Sequence, residues 1–103
     1  MDKREKRLFA IEVEIKPLAD SGLEGAAGAV VTIYVPSLCL ESAIVEAKKF
    51  MADEPYQIVE LRCVALIDLS VWEDGHAGDE LNKNDLLEIL AADEARFGVF
   101  YAF

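Results

Sequence analysis

His76 is the only histidine of the chain, and it stands in Trp72-Glu73-Asp74-Gly75-His76-Ala77-Gly78-Asp79-Glu80 among four carboxylates. One imidazole surrounded by carboxylate oxygens is chemistry for a divalent ion, or for a general base oriented by an acid. The spacing departs from the twelve-residue calcium loop, and there is no HExxH or paired-histidine arrangement. His76 with Asp74 and Asp79 is therefore the candidate metal set. An exposed turn histidine is the expected state, with no cofactor and no assigned catalytic residue.

Two further residue groups invite chemical readings. Cys39 and Cys63 lack CxxC spacing and have apolar neighbours (Leu38, Leu40, Val64 and Ala65), so buried, unpaired thiols are expected in a chain that does not look secreted. Gly22, Gly25 and Gly28 follow a strand as phosphate-binding loops do, but they lead into Val30-Val31-Thr32-Ile33, another strand, instead of a helix N-terminus. They read as a flexible connection.

The strongest signal is charge. The chain has 20 acidic and 10 basic residues, a formal net charge of −10, and four of the bases (Lys3, Arg4, Lys6, Arg7) fall in the first seven positions. Asp68, Glu73, Asp74, Asp79, Glu80, Asp85, Glu88, Asp93 and Glu94 then lie in one stretch relieved only by Lys83. Such a surface attracts cations or basic proteins and repels phosphate, which argues against nucleic acid as a partner. Glu73, Asp74, Asp79, Glu80, Asp85 and Glu88 are accordingly the candidate residues for a basic protein partner.

Placing these groups requires elements. Phe9, Ile11, Val13 and Ile15 alternate with Ala10, Glu12, Glu14 and Lys16, the two-residue period of a strand with one wet face. A second strand is expected over Val30 to Val35, stopped by Pro36, with a long loop joining the two as a hairpin. Ser37 is a candidate N-cap for a helix presenting Leu40, Ala43, Ile44, Ala47, Phe50 and Met51 on one side and ending near Glu54. Tyr56 to Trp72 reads as a hairpin or as one long, bulged strand. A second helix should begin at Asn82 or Asn84, present Leu86, Leu87 and Leu90, and run to about Ala95, with Gly98 as the break before a terminal strand.

The last seven residues hold Phe97, Phe100, Tyr101 and Phe103, so both faces of that strand would carry rings. A buried central strand is one expectation. The other is an apolar patch of Trp72, Phe100 and Tyr101 that packs against a second copy in a homodimer.

These elements predict an α+β domain at residues 8–103 behind a disordered basic segment at 1–7. If Tyr56 to Trp72 reverses, the order from the second strand is β, α, β, β, α, β, a ferredoxin-like split βαβ with an additional N-terminal strand and both helices on one face. Otherwise it is a related mixed sheet. No apolar run reaches the roughly 18 to 20 residues of a membrane span, and a cytoplasmic, non-membrane protein is expected. The functional expectation is a small acidic, non-enzymatic interaction domain, as in an inhibitor, immunity or adaptor protein. The alternatives are a small-molecule-binding or regulatory domain using the sheet and glycine loop, and a small enzyme or metal protein centred on His76.

Overall fold

In the computed structural model, residues 6–18, 25, 27–69 and 81–103 are described. Alternation does for β1 what the sequence implies. Arg7–Pro17 forms a strand that buries Phe9, Ile11, Val13 and Ile15 on one side, and it pairs in unbroken antiparallel register with β2, Ala29–Ser37. Arg7 thus belongs to the sheet, and Lys6 is tied to Asp93 by a 2.6 Å ion pair. Pro36 does not stop β2; it sits opposite Leu8 inside the strand. Pairing of β2 with the terminal strand ends at Tyr34, so on that side no ladder bond in this register calls for the N–H that proline lacks.

Helix α1, Leu40–Met51, buries Ala43, Ala47 and Met51 against the odd-numbered residues of β1 and β2, with Ile44 and Phe50 packed at the margin. Leu40, expected in this stripe, is largely exposed. The N-cap is Cys39, not Ser37, which is buried at the end of β2 and donates its hydroxyl to Ser42 Oγ at 3.0 Å. Glu41 in the first turn and Lys48 and Lys49 in the last complement the helix dipole.

The segment Tyr56–Leu66 is a single strand, β3, antiparallel to β1. No reversal occurs within it; among the described residues the sheet has four strands in the order β3-β1-β2-β4, unlike a split βαβ arrangement. Every pairing among the described residues is antiparallel, so the chain is an α+β domain of another topology, the alternative that one long, bulged strand implies. Register breaks between Glu12 and Val13 and between Glu14 and Ile15 leave Arg62 and Val59 as extra residues on β3. Each bulge resets the side-chain phase, so that Tyr56, Ile58, Leu61 and Val64 all pack with α1.

Helix α2, Lys83–Ala92, starts at the expected Asn82 with a reciprocal capping box: Asp85 N–H donates to Asn82 Oδ1 at 2.9 Å, and Asn82 N–H to Asp85 Oδ2 at 3.1 Å. It ends before the expected Ala95, at Asp93, whose φ of 57° is left-handed. Gly98 therefore does not break the helix. It lies in β4, Arg96–Ala102, where an added Cβ would come 2.9 Å from the Tyr34 ring and 3.2 Å from Thr32 O.

The two helices cover opposite faces of the sheet, not one. Leu86 and Ile89 of α2 pack on Leu8 and Tyr34, with Ala10, Ile67, Leu69 and Leu81 around them, and these β1 and β2 residues are the even-numbered ones that point away from α1. The result is three layers, α1, sheet and α2. β4 is an edge strand, not the buried central strand expected. A register break between Val31 and Ile33 turns Phe97 and Phe100 to the same side, where rings of Phe50, Tyr56, Phe97 and Phe100 cluster with centroids 4.7 to 6.1 Å apart. Tyr56 and Phe100 come from opposite edges of the sheet, so the bulged sheet curls towards α1 until its edges meet there.

Candidate docking surface

Among the described residues, coverage of the α2 side is incomplete for a simple geometric reason. A ten-residue helix spans roughly 15 Å, whereas an eleven-residue strand such as β1 spans roughly 36 Å. α2 sits over the Leu8 and Tyr34 end. Beyond it the strands present Glu12, Glu14, Thr32, Val30, Glu60, Cys63 and Tyr101, none of them fully buried.

Register gives this bare half an internal order. One row across all four strands reads Glu60, Glu14, Val30, Tyr101, and the next reads Cys63, Glu12, Thr32. Carboxylates therefore occupy β3 and β1, while β2 and β4 contribute the Thr32 and Tyr101 hydroxyls and apolar surface. Phe103 extends the apolar side, pairing with Gly28 through backbone hydrogen bonds and laying its ring where a Gly28 Cβ would sit. Glu12, Val30, Thr32 and Tyr101 line an open, shallow depression. The charge is only partly answered: Arg62 Nε is 3.9 Å from Glu12 Oε1, with both side chains nearly half exposed, whereas Glu14 faces Glu60 directly.

The residues singled out in the sequence are dispersed. Trp72, Glu73, Asp74, His76, Asp79 and Glu80 lie outside the described residues, so the candidate metal set and most of the acidic candidate set have no geometry. Asp85 is engaged in the α2 capping box. Glu88 is exposed and lines a second shallow depression with Ile89, Ala92, Glu94, Ala95 and Arg96. Phe100 belongs to the ring cluster on the α1 side and Tyr101 to the bare half, so these two do not share a patch. Among the described residues, no group of three or more His, Cys, Asp and Glu side chains is placed to hold a metal ion, and no helix is long and apolar enough to cross a membrane.

Both cysteines are unpaired as expected, but exposed instead of buried. Cys63 is in the row of Glu12 on the bare half. Cys39 Sγ lies 3.0 Å from Ser42 Oγ at the start of α1, and this hydrogen bond, helped by the backbone amides of Ser42 and Glu41, holds the thiol below its ordinary pKa. Flanking Leu and Val residues do not bury a thiol that sits at a helix N-cap or on an edge strand.

Glu12, Glu14 and Glu60 were absent from the acidic set that sequence reasoning favoured. Their signal was the wet positions of β1, where Glu12 and Glu14 alternate with core residues; only the sheet register brings Glu60 beside them. Compared with known protein families, curated proteins and solved structures, the chain matches none.

Proposed function

We propose that this chain is a non-enzymatic interaction domain that binds a basic protein partner, and that the partner lies on the bare half of the α2 side. The observation that carries this reading is the row Glu60, Glu14, Val30, Tyr101, acidic at one end and apolar at the other, on a sheet face that a helix already covers elsewhere. A basic amphipathic segment fits both properties: its cations meet Glu12, Glu14 and Glu60 while its apolar side covers Val30 and Tyr101. The net charge of −10 steers such a partner from a distance. Glu88 and the sequence candidates Glu73, Asp74, Asp79 and Glu80 extend the acidic field that guides the encounter. Inhibitor, immunity and adaptor roles all rest on this chemistry, and unpaired thiols suit a cytoplasmic setting.

The test uses a synthetic amphipathic Leu/Lys helix as probe, with calorimetry at low and high salt. Binding is expected to weaken as salt rises, to fall strongly in the triple variant Glu12→Gln, Glu14→Gln, Glu60→Gln, and to persist in Glu88→Gln. Equal binding by the triple variant and the parent chain would sink the proposal.

A further inference from the structure

The two edges of the sheet are built differently. β3 is interrupted by two bulges and carries Glu60 and Arg62, devices that discourage another strand from adding. β4 has one bulge, opposite Thr32, and its ladder with β2 then continues regularly through Phe100, Tyr101 and Ala102 to Phe103. From Phe97 to Phe103 there is no Asp, Glu, Lys or Arg. Val99, Tyr101 and Phe103 are 42%, 52% and 58% exposed, and β4 has no second strand neighbour among the described residues. An uncharged, apolar edge of this kind is a template for strand addition.

We propose that β4 pairs antiparallel with β4 of a second copy, joining two four-stranded sheets into one of eight strands. The charge distribution selects the occupant. Two chains of net charge −10 repel wherever their acidic surfaces meet, and β4 beyond Arg96 is a stretch where like approaches like without opposed carboxylates. Antiparallel pairing of a strand with itself is isologous and closes at two copies. Its two-fold axis runs perpendicular to the sheet, so both bare halves of the α2 side face the same way, and the dimer presents two copies of the acidic and apolar rows to a common partner. This inference does not depend on the basic-partner reading, and salt separates them: screening strengthens association of like-charged copies and weakens binding of a cationic probe.

Sedimentation equilibrium on the full chain tests it. A monomer to dimer equilibrium that tightens as salt is raised is expected. Val99→Lys, which puts an ammonium group on the apolar edge of each copy, should weaken it by roughly tenfold or more, and Val59→Lys on the β3 edge should leave it unchanged. A monomer at every concentration in high salt overturns the proposal, as does a dimer that Val99→Lys leaves intact or Val59→Lys dissociates. Should Val99→Lys fail to fold by circular dichroism, hydrogen exchange on the parent chain decides: protection of the Phe100 and Ala102 amides, which alternate with the Phe103 amide bonded to Gly28 and so point away from β2, must rise with protein concentration, and absence of that rise overturns the pairing.

Discussion

The two faces of this sheet use the same four strands and differ in how far each is covered. On the α1 side, Ala43, Ala47 and Met51 meet buried residues from Phe9 to Ile15 and from Ala29 to Val35, and four aromatic rings close the end of the layer. On the α2 side Leu8, Tyr34, Leu86 and Ile89 form the buried cluster among the described residues, and these leave the rest of the face open. One face is a core along its whole length; the other is a core at one end and a surface at the other. On the proposed reading, stability and binding are thereby separated on a single sheet, since Glu12, Glu14, Val30 and Glu60 are not fully buried.

The largest expected effect tests this difference directly. Ile33→Ala removes a fully buried side chain between β1, β4 and α1, and should cost about 3 to 4 kcal/mol in urea unfolding. Leu86→Ala removes an equally buried side chain from the small cluster under α2, where the helix can settle onto the sheet, and should cost about 2 to 3 kcal/mol. Hydrogen exchange should show α2 opening separately in Leu86→Ala while β1 and β2 stay protected. Equal costs, with no local opening, would mean that the two faces form one cooperative core.

A smaller effect sharpens the same point at the start of α2. Asn82→Ala removes half of the capping box and should cost about 1 kcal/mol. The Asp85→Ala change should add little to it, because the two side chains satisfy each other's backbone donors. Urea midpoints of the two single variants and the double variant measure this coupling. Additive costs would show that Asp85 acts through the acidic surface instead of through the cap.

Which parts were legible in the sequence follows from where the strand period holds. β1 keeps strict alternation from Phe9 to Lys16, so its core face and its hairpin with β2 were readable, although β2 runs on through Pro36 to Ser37, and Asn82 announced α2. β3 and β4 do not keep it: Ile58, Leu61 and Val64 recur at every third position, as do Phe97 and Phe100, because bulges insert a residue between them. A two-residue period applied there sends Leu61 and Phe100 to the wrong side, and with them the aromatic cluster. The placement of α2 did leave a mark in β1, whose outer positions change from Leu8 and Ala10 to Glu12, Glu14 and Lys16. Treating that whole side as wet concealed the dry end, and so put both helices on one face. The acidic half was visible in outline, but the adjacency of Glu14 and Glu60 depends on two bulges that no residue type marks.

That adjacency carries the smallest effect and the one most specific to the open half. Glu14 and Glu60 stand directly opposite each other on neighbouring strands, while the nearby Arg62 reaches towards Glu12. Like charges directly opposed across an antiparallel pair destabilise the sheet, so Glu14→Gln should raise stability by a few tenths of a kcal/mol. The gain should shrink as salt rises, because both positions are solvent-accessible and screening already weakens the repulsion. The same substitution should weaken binding of the Leu/Lys probe. Opposite signs in these two measurements, urea midpoint and probe affinity, are what a surface kept for a cationic partner requires: the unrelieved repulsion in the isolated domain is relieved on binding. A variant that loses stability as well as affinity would instead place Glu14 among the residues that hold the sheet together, and the separation between a stabilising face and a binding face would fail at its centre.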